Sequence, residues 1–308
     1  IMKPKKVIIL CLIIFTYGLI VGQYKIFPYN IIKYNKNLLF NYFSKLENYK
    51  NFKSNKNCIL NINSEYRVKN PEHSFLIAGH TYGLPKKNLG IYPKFYNELK
   101  RNSGSFNFGI FAGDITSTGS KEDWSYFDKQ ISDIDLKVFL APGNHDIESN
   151  MNGVRTYNFL KRAKKLYQSI KVKNDLFIIL NSVENDNFIK NEQLDFLKNQ
   201  LKMNYDLVDN IVIVFHHVIF ANKELNAKPH MKVKSNFWQD IYPLLKKYEN
   251  NYYIVAGDVG MFDNGYQLFC KKLKNIVFLA TGMGGGRFDN FLIFSKVNDK
   301  FFITPKIF

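Results

Sequence analysis

Short runs of apolar, β-forming residues recur along the chain from about residue 75, and glycine or polar residues bound most of them. Such runs are typical of buried strands. They predict strands over 75–78, 108–112, 138–141, 175–180, 211–215, 252–256, 268–269, 276–280, 291–294 and 301–304. Apolar residues at helical spacing predict helices over 92–100, 122–131, 192–201 and 237–247.

Helices separate most of the earlier predicted strands, whereas the strands after residue 266 follow one another directly. Alternating strands and helices favour parallel pairing, and consecutive strands favour antiparallel pairing. The pattern therefore predicts an α/β fold with either one mixed sheet or a sandwich of two sheets.

The first residues have the pattern of a membrane-targeting segment. Three lysines within residues 3–6 precede an apolar run over 7–22. A run of this length fits a short membrane-spanning helix or the core of a signal peptide. We favour an uncleaved anchor over residues 1–28, because no good small-x-small cleavage site closes the run; a buried helix of a soluble protein is the alternative. The basic flank predicts that the rest of the chain is exported to the periplasm or the cell surface.

A second segment, 29–49, has apolar and aromatic residues at three- and four-residue steps, with lysine and asparagine between them. This spacing predicts an amphipathic helix. Its role stays open between a stalk, a membrane-surface contact, a self-association helix and a helix packed on the following domain. A polar stretch over 50–57 predicts a linker. We therefore divide the chain into an anchor (1–28), the helix with its linker (29–70) and a main domain (71–308).

Charge and cysteine content change this picture little. The chain has 43 lysine and arginine residues against 26 acidic residues, a formal net charge of +17. The lysines are scattered and do not form a stripe, so we attribute the charge to a compositional bias and predict no nucleic-acid partner. Cys58 and Cys270 fit either a disulfide in an oxidising compartment or two buried thiols.

Four polar stretches each follow a predicted strand. They are Gly113-Asp114, Gly143-Asn144-His145-Asp146, His216-His217 and Gly257-Asp258-Val259-Gly260. Side chains at the ends of neighbouring core strands converge on one edge of a sheet, as the ligands of a metal site must. Carboxylate, amide and imidazole groups are suitable ligands for ions such as Mn, Fe or Zn. The stretches therefore predict a metal-assisted hydrolase.

In this order the stretches resemble those of the calcineurin-like metallophosphoesterases, over roughly residues 74–308. The four residues 143–146 are the most specific part of the match. The resemblance implies a sandwich of two mixed β-sheets flanked by helices. It also implies a phosphoester substrate and one or two divalent ions (Mn, Fe or Zn).

The resemblance also implies roles for individual residues. Asp114 is implied as a ligand that bridges two ions, and Asn144 and His216 as further ligands. His145 is implied as the general acid that protonates the leaving group, with Asp146 orienting its ring.

Two parts of the chain depart from the family pattern. His80 and Tyr82 stand where the family has an aspartate and a histidine. Asp258 and Gly260 replace two histidines of the last motif. When the family's ligand positions are carried over one by one, one metal site is complete. Its ligands are Asp114, Asn144, His216 and Asp258. His80 belongs to a second site that we predict to be loose or absent.

Three further residues are candidates for substrate binding: Tyr82, His217 and Arg287. Tyr82 is also a weak alternative ligand for the second ion. Arg287 follows the glycine-rich stretch 282–286, which fits either a close approach to phosphate or a tight turn. His230 is a further alternative for the incomplete site, against a plain surface histidine.

We therefore predict a membrane-anchored phosphoesterase whose active domain lies outside the cytoplasm and hydrolyses a phosphomonoester or phosphodiester with metal-activated water. The altered ligand positions leave a second interpretation open, a non-catalytic binding or assembly module at a cell-surface glycan or lipid. A metal-dependent hydrolase of a non-phosphate ester is a third. No segment between the motifs predicts the substrate itself.

Overall fold

The computed structural model describes residues 16–17, 23–24, 60, 71–84, 87–225, 233–259, 268–286 and 289–308. The chain divides into two compact units, 1–56 and 57–308, and the described residues of the first unit are helical. Apart from those residues, the predicted anchor and amphipathic helix lie outside the described part. Within the described part, no helix combines the length and apolar character that crossing a membrane requires.

The described residues of the second unit form two sheets with flanking helices. The strands are β1 (His73–Ala78), β2 (Phe108–Ala112), β3 (Val138–Ala141), β4 (Gln168–Val172), β5 (Asp175–Ile179), β6 (Asn210–Phe215), β7 (Asn251–Ala256), β8 (Leu268–Leu273), β9 (Ile276–Thr281), β10 (Asn290–Val297) and β11 (Lys300–Ile307). The α-helices are α1 (Pro93–Asn102), α2 (Lys121–Ser132), α3 (Val154–Ala163), α4 (Asn191–Asn204) and α5 (Tyr242–Leu245). A π-helical turn, Phe237–Ile241, leads into α5.

Both sheets are mixed. The first has the strand order β11-β10-β1-β2-β3 and the second the order β4-β5-β6-β7-β9-β8. β1, β2 and β3 are parallel, as are β5, β6, β7 and β9, whereas the remaining pairs are antiparallel. Within each sheet the parallel strands therefore end at the same edge, and the polar stretches singled out in the sequence begin there. The predicted α/β fold with two mixed sheets and flanking helices is confirmed.

Aromatic side chains fill the space between the two sheets. The ring of Phe177 on β5 lies 4.7 Å from that of Phe75 on β1 and 5.1 Å from that of Phe108 on β2, both edge-on. The outer faces are covered by helices. Buried Trp124 on α2 packs against the first sheet, and buried Leu197 on α4 packs against the second. The burial of these apolar faces holds the strand ends in fixed positions.

Each predicted strand is present, with ends that differ by a few residues, and the first three predicted helices are α1, α2 and α4. The predicted helix over 237–247 is π-helical in its first part. The sequence pattern does not predict α3 or β4. The buried residues of α3 are Thr156, Asn158 and Phe159, so two of the three are polar and the helix offers few apolar residues as a signal. β4 is a half-exposed edge strand.

Cys270 lies in β8 and is disulfide-bonded. The sequence left a disulfide and a buried thiol as alternatives for this cysteine, and in the structure Cys270 is in a disulfide; Cys58, its predicted partner, lies outside the described residues. Disulfides persist in oxidising compartments and are rare in reducing ones.

A buried charged cluster lies at the amino ends of the parallel strands. Asp175 is fully buried, and Lys296 donates to its two carboxylate oxygens at 3.0 and 3.1 Å. Asn210 donates to the same carboxylate at 2.8 Å, and His73 Nε2 lies 3.0 Å from Asp175 Oδ2. Burial acts to raise the pKa of Asp175, but these partners lower it below its usual range. The cluster joins strands of both sheets at the end away from the predicted site.

Replacement of Asp175 by alanine leaves the buried Lys296 ammonium without its main partner. We expect Asp175→Ala to lower the free energy of unfolding by about 3–5 kcal/mol, measured by urea denaturation. The matched control is Asp195→Ala, which breaks the exposed pair with Lys198 and is expected to cost less than about 1 kcal/mol. Because the folded pKa of Asp175 lies below the unfolded one, its contribution is present at neutral pH and is lost as the pH falls below about 4. Equal costs for the two variants would contradict this assignment.

Candidate metal centre

The loops after β1, β2, β6 and β7 meet where the carboxyl ends of the two sheets come together. The His80 amide donates to the Gly113 carbonyl at 3.0 Å, and the Asp258 amide donates to the His216 carbonyl at 2.9 Å. These bonds join loops within each sheet. The two sheets then contact each other through the polar side chains of the same loops.

Glycine at two positions permits this close approach. Gly113 has φ +80°, and a Cβ atom there would lie 2.5 Å from the Cβ atom of His216. A Cβ atom at Gly257 would lie 1.8 Å from the carbonyl oxygen of Ala112. Both distances are shorter than real Cβ contacts allow, so larger residues would push the two sheet edges apart.

Asp114 lies at the centre of the site and is 1% exposed. Its Oδ1 atom is 3.3 Å from His216 Nε2 and accepts the His145 amide at 3.0 Å. Its Oδ2 atom is 3.2 Å from His80 Nε2. Asp114 and His80 both have φ values in the left-handed region, 53° and 56°. Such backbone strain costs about 1–3 kcal/mol per residue and is found most often at functional sites.

His216 is oriented for metal binding. It is fully buried, and its Nδ1 atom lies 3.1 Å from the Ala112 carbonyl, to which it donates. This bond leaves Nε2 free to act as a ligand. Nε2 is 3.1 Å from Asn144 Oδ1 and 4.0 Å from Asp258 Oδ1. One nitrogen therefore lies beside three oxygen donors: those of Asn144, Asp258 and Asp114.

His217 also belongs to this group. Ligand atoms of His216, His217 and Asp258 all lie within 4.8 Å of one another. His217 Nδ1 is 2.8 Å from the Ser182 carbonyl, which fixes the ring and leaves Nε2 available. His217 was predicted to face the substrate, whereas the structure brings it among the candidate metal ligands.

Three carboxylates, those of Asp114, Asp146 and Asp258, concentrate negative charge at the site and shift the pKa values of their neighbours. Burial acts to raise the pKa of Asp114, but the charge of His216 and hydrogen bonds from His216 and His80 hold it well below its usual range. Burial acts to lower the pKa of His216, and the charge of Asp114 outweighs it and raises the pKa to about 9. Burial, with the charges of Asp114, Asp146 and Asp258, raises the pKa of Tyr82 far above its ordinary value.

These residues fit a divalent cation. Ligands that lie about 2 Å from one ion are about 3–3.5 Å from one another. His216 Nε2 has such spacings, 3.3 Å to Asp114 Oδ1 and 3.1 Å to Asn144 Oδ1. The donors are carboxylate oxygen, amide oxygen and imidazole nitrogen, which suit Mn, Fe or Zn. Asn144, Asp258 and His217 are at least partly exposed, whereas Asp114 and His216 are buried. The predicted set Asp114, Asn144, His216 and Asp258 is brought together, and its open side faces solvent.

His80 and Tyr82 lie on the buried side of Asp114. The Tyr82 hydroxyl is 3.2 Å from His80 Nε2, and Tyr82 is fully buried. The hydroxyl of Tyr82 is thus directed at His80 inside the protein and does not reach the solvent side of the site. The expected substrate-binding role of Tyr82 is therefore corrected to a contact with His80. His80 lies against the Asp114 carboxylate as predicted.

The structure assigns different contacts to the two residues that follow Asn144. The His145 side chain is 36% exposed, and its Nε2 atom lies 4.0 Å from Asp114 Oδ2. Its Nδ1 atom is 2.6 Å from the Ser117 carbonyl, so this carbonyl and not Asp146 orients the ring. The prediction that Asp146 orients His145 is wrong, because the Asp146 carboxylate is fully used elsewhere.

Asp146 holds the loops of the site together. It is fully buried and accepts the backbone amides of Ile115, Thr116 and Gly143 at 2.9–3.1 Å. Burial and the charge of Asp114 raise the pKa of Asp146 to about 6, against the effect of these amides. Asp146 is therefore a structural residue of the loops after β2 and β3.

A family model described as calcineurin-like phosphoesterase matches residues 73–235, more than half of the chain. The chain belongs to the calcineurin-like phosphoesterase family. The prediction of this family is confirmed. The prediction of a phosphoester hydrolase is confirmed with it, as the class of enzyme.

Two curated relatives are similar to this phosphoesterase over part of its length. The 3′,5′-cyclic adenosine monophosphate phosphodiesterase of Haemophilus influenzae is 20% identical over 192 residues, covering 61% of this chain and 68% of the relative. The 3′,5′-cyclic-nucleotide phosphodiesterase of a Nostoc species is 27% identical over 112 residues, covering 35% of this chain and 40% of the relative. The matched region thus spans less than half of the second relative.

One solved structure supports the fold. The purple acid phosphatase from yellow lupin (Lupinus luteus) seeds matches with a TM-score of 0.56 and 13% sequence identity. The match covers 76% of this chain and 51% of the lupin chain, about half of its length. At this identity the likeness shows a common fold only.

In the glycine-rich turn of this phosphoesterase, a carboxylate of the turn itself accepts the backbone amides. The amides of Gly284 and Gly286 donate to Asp289 Oδ1 at 2.8 and 3.0 Å. Of the two alternatives for these glycines, this favours the tight turn, because the amides are bound to a carboxylate of the same turn. Arg287 and His230 lie outside the described residues, so their predicted roles stay predictions.

Three contacts at the site were not predicted. The Ser117 carbonyl orients His145, the Ser182 carbonyl orients His217, and Arg155 donates from Nη1 to the Asn144 carbonyl at 3.0 Å. All three use backbone carbonyls as acceptors, which carry no signal in a sequence. Arg155 lies on α3, which the apolar pattern does not reveal.

The role of Asp146 generates a stability prediction. Asparagine at this position keeps the size but offers one acceptor oxygen, and its NH₂ group faces amide donors. We expect Asp146→Asn to lower the free energy of unfolding by about 1–3 kcal/mol in urea denaturation at pH 8. The control is Asp186→Asn, which alters an exposed side chain of a surface turn. An unchanged free energy of unfolding for Asp146→Asn would contradict the loop-bracing role.

Proposed function

We propose that this chain is a metal-dependent phosphoesterase with its cation held by Asp114, Asn144, His216 and Asp258. The observation that carries the proposal is the position of His216 Nε2, 3.1–4.0 Å from oxygen atoms of the other three residues. His217 completes the set on the solvent side. Family membership supports the reaction class, the hydrolysis of a phosphoester.

We propose one firmly bound ion. The second position predicted by the family resemblance has only His80 and Asp114 as good donors, since the fully buried Tyr82 hydroxyl contacts His80 at 3.2 Å. Two donors hold an ion weakly compared with four.

In this proposal the residues of the chain have separate tasks. A bound cation supplies a polarised phosphoryl oxygen and a water of lowered pKa. Asp114 and His216 hold their donor atoms in place from the buried side. His145 is half-exposed and lies next to Asn144, so its Nε2 atom can give a proton to the leaving oxygen. The Ser117 carbonyl accepts from Nδ1 and thereby fixes the ring, so the second proton of the imidazolium form lies on Nε2, from which it is given to the leaving oxygen.

For the substrate we propose a small phosphodiester, with cyclic nucleotides as the first class to test. The support is that both curated relatives described above carry names of cyclic-nucleotide phosphodiesterases. Phosphomonoesters are the alternative outcome of the same assay. Turnover of the two classes is compared directly through kcat/KM.

We also propose that the active domain lies outside the cytoplasm, held by the apolar segment near the start of the chain. The apolar run over 7–22 after three lysines and the disulfide at Cys270 support this location. Protease added to cells with a permeabilised outer envelope should degrade the domain. Degradation only after lysis of the inner membrane would contradict the proposal.

The ligand set makes a testable claim about metal binding. We expect wild-type protein to bind about one equivalent of Mn²⁺ tightly and to lose activity in a chelator, with recovery on Mn²⁺ addition. His216→Ala removes the nitrogen at the centre of the donors, so we expect loss of that ion by elemental analysis. The control is His73→Ala, a buried histidine at the other end of the sandwich, which should keep the ion. Retention of stoichiometric metal by His216→Ala would contradict the ligand assignment.

His145 is expected to act on the leaving group and not to hold the cation. We therefore expect His145→Ala to keep its bound ion and to lose about 10²–10⁴-fold in kcat on an alkyl phosphodiester. On an aryl ester with a good leaving group the loss should be smaller, because that oxygen needs little protonation. Equal losses on both esters would argue against the acid role. Stoichiometric metal with no turnover of any phosphoester by the wild type would instead favour a binding module.

A further inference from the structure

One peptide group of the site is held from both sides. The peptide between Asn144 and His145 donates its N–H to Asp114 Oδ1 at 3.0 Å. Its C=O accepts from Arg155 Nη1 at 3.0 Å. This peptide joins the amide ligand to the proposed proton donor, so its orientation sets the direction of both side chains. Asn144 is exposed, so packing does little to fix it.

Arg155 is itself held in place by its neighbours. Its Nε atom donates to Glu148 Oε1 at 3.3 Å while Nη1 reaches the Asn144 carbonyl. Glu148 also accepts the backbone amides of Arg155 and Thr156 at 3.1 and 3.0 Å, at the start of α3. The planar guanidinium thus connects a fixed carboxylate to the Asn144 carbonyl.

Glycine at position 119 makes room for this arrangement. A Cβ atom there would lie 2.7 Å from Arg155 Cγ and 2.8 Å from the His145 carbonyl oxygen. The Arg155 stem therefore passes close to the backbone of the loop that follows β2. The same loop supplies the Ser117 carbonyl that orients His145.

We propose that Arg155 is a positioning residue that fixes the Asn144–His145 peptide, so that Asn144 faces the cation and His145 the leaving group. The inference rests on the proposed function above. Its physical basis is that a peptide bonded on both edges has less rotational freedom than one bonded on the Asp114 side alone. Arg155 is 37% exposed, and the contacts described here join it to the protein and not to the reacting atoms.

Arg162 provides a matched control on the same helix. Its Nε donates to Asp128 at 2.8 Å and its Nη1 to the Asn158 carbonyl at 2.7 Å. It therefore repeats the carboxylate–guanidinium–carbonyl arrangement of Arg155, but its carbonyl partner belongs to α3 and not to the metal centre. Loss of Arg162 should affect stability without affecting the site.

The experiment compares Arg155→Ala, Arg155→Lys and Arg162→Ala in the full chain. Mn²⁺ affinity is measured by calorimetric titration of metal-free protein. The kinetic constants kcat and KM are measured on a bis-aryl phosphodiester, and the free energy of unfolding is measured by urea denaturation. For Arg155→Ala we expect Mn²⁺ affinity and kcat each to fall about 10- to 100-fold, with KM nearly unchanged. Lysine keeps the charge but cannot bond to Glu148 and the Asn144 carbonyl through one planar group, so Arg155→Lys should recover only part of the loss. Arg162→Ala should change neither Mn²⁺ affinity nor kcat.

Four results would overturn the inference. Arg155→Ala with wild-type Mn²⁺ affinity and kcat would show that the contact is incidental. A rise in KM alone would show direct substrate binding, and full recovery in Arg155→Lys would show that charge suffices. Equal effects of Arg155→Ala and Arg162→Ala would show a stability effect only. If the wild type neither binds Mn²⁺ nor turns over the ester, the proposed function fails first and this inference fails with it.

Discussion

The Asp114 carboxylate is the contact on which the site depends. It comes from the first sheet, yet one of its oxygens lies against His216 of the second sheet and the other against His80. Burial of a carboxylate is costly unless charge and hydrogen bonds compensate it. The two imidazoles and the His145 amide provide that compensation, so the carboxyl ends of both sheets are tied to one anionic group.

Each end of the sandwich has a buried carboxylate, Asp175 at one end and Asp114 at the other, and the two have different partners. Asp175 is neutralised by the ammonium group of Lys296, with Asn210 as a further donor, and the cluster is complete without a ligand. Asp114 has no lysine or arginine among its described partners, and Asp146 and Asp258 add negative charge nearby. One end is therefore a closed ionic cluster, whereas the other retains an excess of negative charge on its solvent side. This difference is the physical reason that the second end suits an added cation.

The supporting contacts of the site are made mostly by backbone. Carbonyls of Ala112, Ser117 and Ser182 orient the three histidines that face the solvent side or the cation. Asp146 in turn binds the amides of the loops that contain two of the motifs. These contacts make the loops rigid, and the direction of each side chain is set by the strand end it follows and by the peptide groups it contacts. Such preorganisation is what a metal ligand set requires.

Much of the fold was predictable because the buried strands are continuous apolar runs. Each such run has a strand in the structure, and the mixed pairing followed from the change from alternating helices to consecutive strands. The candidate ligand residues were predictable as a group because they directly follow those strands. The helix α3 and the edge strand β4 were not, because part of the buried face of α3 is polar and β4 is half-exposed.

The sequence by itself determined which donor groups stand at the strand ends, because residue type and position after a strand are local properties. Only the tertiary structure decided their partners. It moved Asp146 from the His145 ring to the loop amides, placed Tyr82 behind His80, and brought His217 beside Asp258. The reason is that a carboxylate or imidazole bonds to whichever donors and carbonyls the two packed sheets present, and these lie far apart along the chain.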